Sequence, residues 1–189
     1  PLIEVTTGPV IHTPREGENV ALAIGRILRA TRRVKRGLGT IRQDLNISIR
    51  EGALIEIKGV QELDLISEVI DYEVQRQLNL LKIRDELRKR RLKEEDLRED
   101  FIDVTSVFKN TECRVITGAI RKGKRVFAAK LSKFAGLLGR ELIPNIRLGS
   151  EMADRARFWG RVGGIIHTDE LSTYGAKEDE IKQLINLIN

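Results

Sequence analysis

Cysteine and histidine are nearly missing from this 189-residue chain: one Cys, Cys113, and two His, His12 and His167. A single thiol excludes an intramolecular disulfide framework and a cysteine-based zinc cluster, and it fits a reducing compartment. Two histidines exclude a multi-histidine metal site within the chain. No apolar run approaches the roughly 20 residues needed to span a bilayer, and no signal-peptide pattern opens the sequence. No Walker-type loop, nucleophile elbow or Rossmann fingerprint occurs. Lys122-Gly123-Lys124 reads as a turn tip and not as a phosphate loop. Aromatic residues make up only 4% of the chain, and none interleaves with its basic helix stripe, which argues against base stacking there.

Charge is plentiful. Asp, Glu, Lys and Arg make up 33% of residues, against about 25% in a typical domain. The 41% of hydrophobic residues and the lack of a long block of like charge argue against wholesale disorder. The length fits one large domain or two small ones, and folding buries roughly 70% of the unfolded surface. Net charge is +6 and the pI about 9.6, a balance that by itself gives only a hint of a polyanionic partner. The opening run Leu2-Ile3-Glu4-Val5 is already strand-like and Pro1 precedes it, so the sequence reads as a piece of a longer polypeptide.

Two halves differ in pattern. In the first, residues 2–6 and 10–11 read as a strand. Thr13-Pro14-Arg15-Glu16 is a capped helix start, and Val20, Ile24, Ile27 and Leu28 carry that helix to about Arg33. Alternation from Ile41 to Ile49 predicts a half-buried strand, Glu51-Gly52 a turn, and Ala53 to Lys58 the return strand. From Asp64 a helical period, marked by Leu65, Val69, Tyr72, Leu80 and Ile83, runs to near Asp96, ending in mixed charges that suit a solvated helix. A boundary is expected near residues 95–103. Beyond it, strands are predicted at Cys113–Ile120, Arg125–Leu131 and Gly163–His167. Helices are predicted at Ser132–Leu138, from a Ser150 cap to Phe158 with Glu151 in the first turn, and at Ala176–Ile188. The fold class is α+β: a partial mixed or antiparallel sheet domain with packed helices, then a small α+β unit.

Three groups of residues attract attention. Arg26, Arg29, Arg32 and Arg33 recur every three or four residues, followed by Lys35 and Arg36. On one helix face they can track a phosphate backbone, or they form an ordinary solvated face. Arg42, Asp44, Asn46 and Ser48 share one face of a strand because alternate side chains point the same way. A guanidinium, a carboxylate, an amide and a hydroxyl in that order suit hydrated Mg²⁺ and phosphate, or equally the exposed face of a two-sided sheet. Glu4, in an apolar strand, is either exposed or directed into a site. His12 beside a cap, and His167 with Asp169 and Glu170, are read as structural.

Several segments together resemble a known family. Pro1-Leu2-Ile3-Glu4-Val5, Thr40 to Ile49 with Arg42-x-Asp44-x-Asn46-x-Ser48, Glu56-Ile57-Lys58, and Tyr72-Glu73-x-x-Arg76-Gln77 follow, in order and spacing, the B/E-type subunits of tRNA-dependent amidotransferases. In the second half, Phe134-Ala135-Gly136-Leu137-Leu138, Gly149-Ser150-Glu151-Met152-Ala153 and Gly164 to Gly175 resemble the GAD domain. That domain is shared with bacterial aspartyl-tRNA synthetases. The combination resembles the archaeal E-type subunits. Residues 1–100 then correspond to part of the catalytic cradle domain, ending in a long helix. Residues 101–189 correspond to a GAD-type insertion, incomplete at its C-terminus.

The resemblance implies an enzyme part. Such subunits bind Glu-tRNA(Gln) and, with ATP and Mg²⁺, activate the glutamyl carboxylate. An asparaginase-like D subunit supplies ammonia, in an assembly of two D and two E subunits in the cytoplasm. It also implies a metal-ligand role for Glu4, a place for Arg42, Asp44, Asn46 and Ser48 near the catalytic pocket, and further metal ligands upstream of Pro1. The chain alone is expected to be inactive. The competing expectation is a non-catalytic tRNA-binding or protein-interaction module.

Overall fold

The computed structural model describes residues 2–188, and its fold is α+β. The chain divides into two compact units, one running through Leu81 and the other starting at Lys82. The division falls inside a helix, upstream of residues 95–103.

In the first unit, helix α1 (Pro14–Ala30) begins as its sequence dictates. Thr13 Oγ1 accepts the Glu16 N–H at 3.2 Å, while the Glu16 carboxylate accepts the N–H groups of His12 at 2.8 Å and Thr13 at 3.1 Å. Three donors of the helix start are thereby satisfied. The helix is three residues shorter than expected. The Thr31 hydroxyl donates to the Leu28 carbonyl at 2.6 Å and accepts the Arg33 N–H at 3.2 Å, and Arg32 turns left-handed with φ 55°. A hydroxyl that satisfies the last turn competes with helix propagation. Residues 2–12 hold no strand, contrary to expectation. A strand needs a ladder to pair with, and among the described residues this segment has none; Leu2 is 89% exposed.

Strands β1 (Asp44–Ile47) and β2 (Ile55–Lys58) form an antiparallel hairpin, shorter than the alternation suggested. A 3₁₀ turn at Leu63–Leu65 leads into α2 (Ile66–Lys89). Gly17 of α1 is buried against Ile66 and Ile70, where a Cβ would collide with the Ile70 side chain. Along α2, Ile66, Glu73, Gln77 and Ile83 are buried and Leu65 is exposed. Of the expected stripe, Ile83 is buried, Val69, Tyr72 and Leu80 are half-buried, and Leu65 gives way to its neighbour Ile66.

The second unit carries β3 (Ile102–Asp103), α3 (Arg114–Arg121), β4 (Phe127–Ala128), β5 (Glu141–Ile143), β6 (Ile146–Arg147), α4 (Leu148–Gly160), α5 (Thr168–Leu171) and α6 (Glu178–Ile188). Strand β3 pairs antiparallel with β4, and β5 with β6. The strand expected at 113–120 is helix α3. Cys113, Ile116 and Ile120 recur at helical spacing and pack into the core, so tertiary burial overrides the β-branched local composition. The helix expected at 132–138 is a series of turns, because Lys133 and Gly136 are both left-handed, with φ 67° and 73°. Ser150 lies inside the first turn of α4; Arg147 occupies the cap position. Residues 163–167 form no strand. Helix α6 matches its expectation within two residues.

Val104, Phe108, Cys113, Ile116, Leu171, Ala176 and Leu184 form the core of this unit, with Ile181 and Ile188 packed against it. The charged end of α2 is more than a solvated face. Arg90 donates to the carbonyls of Lys133 and Ala135, both at 2.8 Å, and to Glu86 at 2.9 Å. Lys133 in return donates to the Arg91 carbonyl and to Asp96.

Thr13→Ala should destabilise the first unit by about 1 kcal/mol in urea unfolding. The N–H groups of His12 and then Thr13 hold the Glu16 carboxyl below its ordinary value of 4.5. A lowered folded pKa stabilises above the unfolded value and is lost as pH falls through the folded one. The Glu16 contribution should therefore be complete at neutral pH and fade below pH 4.5. Glu16→Ala should flatten that part of the acid limb when helicity is followed by circular dichroism.

Candidate functional site

The β1–β2 hairpin has two unlike faces. Ile41, Gln43, Leu45, Ile47 and Ile49 turn inward, whereas Arg42, Asp44, Asn46 and Ser48 are all exposed. The register adds the partner strand's polar residues to that face: Asp44 stands opposite Lys58, and Asn46 opposite Glu56. Lys58 Nζ lies 3.0 Å from Glu56 Oε1 and 3.9 Å from Asp44 Oδ2. The Glu56 hydrogen bond and charge, with Asp44 adding to them, raise the Lys58 pKa; Arg42 opposes the shift. Asp44 also accepts the Gly59 N–H at 3.4 Å. The strand row thus becomes a two-strand surface of alternating charge, with Arg42, Asn46 and Ser48 free to meet a ligand.

Below this surface the hairpin is tied to α2 through two buried polar side chains. Gln77 Oε1 accepts the Ala53 N–H at 3.1 Å, Gln77 Nε2 donates to Glu73 Oε1 at 2.9 Å, and Arg76 donates to both Glu73 oxygens at 3.2 and 3.3 Å. Glu73 and Gln77 are only 7% and 4% exposed. Gly52 makes the close approach possible, since a Cβ there would collide with Gln77 Oε1 and Ile49. Tyr72-Glu73-x-x-Arg76-Gln77 follows the family pattern, and the structure adds a role for it as the hairpin's anchor. A signal was present: Glu73 and Gln77 follow Ile66 by seven and eleven residues, which places two polar groups on the buried helix face.

The basic residues are not one helix stripe. Arg26 and Arg29 lie on the exposed side of α1; Arg32, Arg33, Lys35 and Arg36 follow its end in an irregular, exposed segment. All six remain close in sequence with no acid among them. Glu4 is exposed in the unpaired opening segment and, among the described residues, makes no hydrogen bond or ion pair. The structure joins it to none of Arg42, Asp44, Asn46 or Ser48. Among the described residues no group of three or more His, Cys, Asp and Glu could hold a metal ion. His167 sits at the start of α5 with Nε2 3.1 Å from Glu170, and Asp169 accepts the Gly136 N–H at 2.8 Å, a turn-fixing arrangement. A pocket of about 360 Å³ in the second unit, lined by residues including Lys109, Thr111, Thr117 and Arg121, contains none of the expected site residues.

Gln77→Ala should leave the Ala53 N–H without its acceptor and cost about 1–3 kcal/mol, as for a buried donor deprived of its partner. Amide hydrogen exchange at Ala53 should accelerate, while exchange within α1 stays near its original rate.

Comparison with known proteins gives the family. A family model described as the GatB/GatE catalytic domain matches residues 1–135, and a GAD domain model matches residues 116–189. The E subunit of the glutamyl-tRNA(Gln) amidotransferase of Pyrococcus abyssi is 58% identical over 189 residues, all of this chain and 30% of the relative. That of Thermococcus gammatolerans is 60% identical over 185 residues, 98% of this chain and 29% of the relative. That of Methanocaldococcus jannaschii is 53% identical over 190 residues, again 30% of the relative. The chain therefore spans less than a third of the length of these relatives. No helix among the described residues is long and apolar enough to cross a membrane. The chain belongs to the GatB/GatE catalytic-domain family and carries a GAD domain in its C-terminal part.

Proposed function

We propose that the chain is part of a tRNA-dependent amidotransferase component that converts Glu-tRNA(Gln) to Gln-tRNA(Gln) in the cytoplasm. The observation that carries this reading is identity of 53–60% along essentially the whole chain to three subunits of that name. The partners are then tRNA(Gln) charged with glutamate and an asparaginase-like D subunit that releases ammonia, two D with two E. Residues 1–100 belong to the catalytic cradle and 101–189 to the GAD-type insertion. The chain alone is inactive.

The chemistry to be served is acyl activation. A carboxylate is a poor acyl donor, and converting it to an acyl phosphate with ATP supplies a good leaving group for ammonia to displace. Arg42 offers a planar fork for phosphate or carboxylate oxygens. Asn46 and Ser48 offer neutral donors beside it. Asp44, held by the Gly59 N–H and facing Lys58, keeps the charge of the face balanced until a polyanion arrives. Mg²⁺, when bound, would neutralise the phosphoryl oxygens. Glu4 is suited to give it one ligand, and the described residues offer no cluster to complete the shell. Arg26, Arg29, Arg32, Arg33, Lys35 and Arg36 contact tRNA phosphates. A second reading, a non-catalytic tRNA-binding module, draws on those same six cations and leaves the hairpin face without a task.

In the complete subunit with its partner, Arg42→Ala should lower Gln-tRNA(Gln) formation roughly 100- to 1000-fold, the usual range for losing a group that stabilises developing charge. Affinity for tRNA should change little. Full activity in this variant and in Asn46→Ala would remove the hairpin face from the chemistry and favour the second reading. Replacing Arg26 and Arg29 with Ala should reduce the slope of log affinity against log salt by roughly 0.9 for each phosphate no longer neutralised. An unchanged slope would show that these arginines do not meet phosphate.

A further inference from the structure

Helix α4 ends in an unusual surface. Phe158 and Trp159 are 75% and 80% exposed, with ring centroids 5.0 Å apart at 83°. They are two of the eight aromatic residues of the chain, counted as five Phe, two Tyr and one Trp. Burial is the normal fate of such rings, because each removes a large apolar area from water. The side chains around them are cationic. Arg155, Arg157 and Arg161 are exposed, and no acid occurs from Arg155 through Thr168. Arg161 closes the helix in a left-handed conformation, with φ 51°. From another element, the Lys124 ammonium nitrogen lies 3.6 Å from where a Cβ on Gly163 would stand, and Arg157 Nε lies 3.8 Å from the same position on Gly164. Two positive side chains thus flank one glycine pair. The counter-charge seen there is Asp154, paired with Arg157.

We propose that this end of α4 is a platform for unpaired RNA nucleotides, with bases stacking on Trp159 and Phe158 and phosphates meeting Arg155, Arg161 and Lys124. Charge complementarity selects a polyanion. The two exposed rings select one whose bases are accessible, because a duplex hides its base faces. A protein partner, whose interfaces favour Trp and Arg, is the competing occupant, and the partner-binding measurement below separates it. A lipid surface would call for a broad aliphatic patch beside the rings, and here the exposed aliphatic residues that follow them are Val162 and Ile165, either side of the glycine pair. The proposal takes RNA as ligand from the functional reading above, but it uses different residues and is tested without amidation.

Trp159 is the sole tryptophan of the chain, so its fluorescence reports the site directly. Titration with a single-stranded RNA of about 10 nucleotides should quench it, whereas the same sequence in a duplex, or heparin, should leave the emission nearly unchanged. Trp159→Ala should weaken binding of the single strand roughly 5- to 100-fold, the range for loss of one stacked base, and Trp159→Phe should restore most of it. Replacing Arg155 and Arg161 with Ala should lower the salt slope by about 0.7 per phosphate released. The side chains are exposed, and matching circular dichroism spectra would show that each variant folds. Equal quenching by heparin and RNA, or unchanged affinity in Trp159→Ala, overturns the platform. So does loss of partner-subunit binding in the complete Trp159→Ala protein at unchanged RNA affinity, which would make the patch a protein interface. Stacking without Gln-tRNA(Gln) formation by the complete assembly would instead sink the functional reading and leave this one standing.

Discussion

The side-chain amide of Gln77 is the constraint on which the exposed hairpin face depends. It accepts the Ala53 N–H from the β2 side of the turn and donates to Glu73 on its own helix. A two-stranded ribbon in water is marginal by itself. Tying its turn to a buried helical residue fixes which face of β1 looks outward, because a slip of one position would send Asp44 and Asn46 inward and Leu45 and Ile47 into solvent. Glu73 pairs with Arg76 as well, so the buried carboxylate is not left as an uncompensated charge, the situation that makes interior ionisation costly. The polar face can then be assembled from residues that contribute little to stability themselves.

That division of labour explains the composition of the chain. Stability in the second unit comes from a small apolar cluster around Phe108, Cys113 and Leu184, whereas several charged side chains satisfy backbone groups at caps and turns. Glu16 serves a cap, Arg90 and Lys133 serve a turn, and Glu180 accepts the N–H of Lys177 at the start of α6. Exposed ion pairs contribute modestly one at a time. Here several of them close backbone donors or acceptors, where the alternative is an orphaned group.

Legibility in the sequence followed locality. The Thr13–Glu16 cap, the alternation of Arg42 to Ser48, the Glu51-Gly52 turn and helix α6 are all set by neighbours a few residues apart, and all are visible in the pattern. The α+β class followed from them. Two of the misreadings depended on distant partners. Leu2 to Val5 has strand composition without a ladder to join, and 113–120 looks β-branched until Cys113 and Ile116 are seen packed in a core. The end of α1 turned on one hydroxyl, that of Thr31, which a periodicity argument does not weigh. Among the site residues, the hairpin row was legible because period two is unambiguous. The anchoring pair Glu73 and Gln77 was hidden by the habit of reading buried helix faces as apolar.

The guanidinium of Arg90 grips the carbonyls of the left-handed residue Lys133 and of Ala135, while the ammonium of Lys133 reaches back to the carbonyl of Arg91. Each side chain closes a backbone carbonyl at, or next to, the residue the other departs from. Fraying of the helix end and opening of the 133–136 turn are thereby a single event: neither segment can loosen first without stranding the polar groups of the other. The two behave as one cooperative opening unit despite being about forty residues apart in the chain.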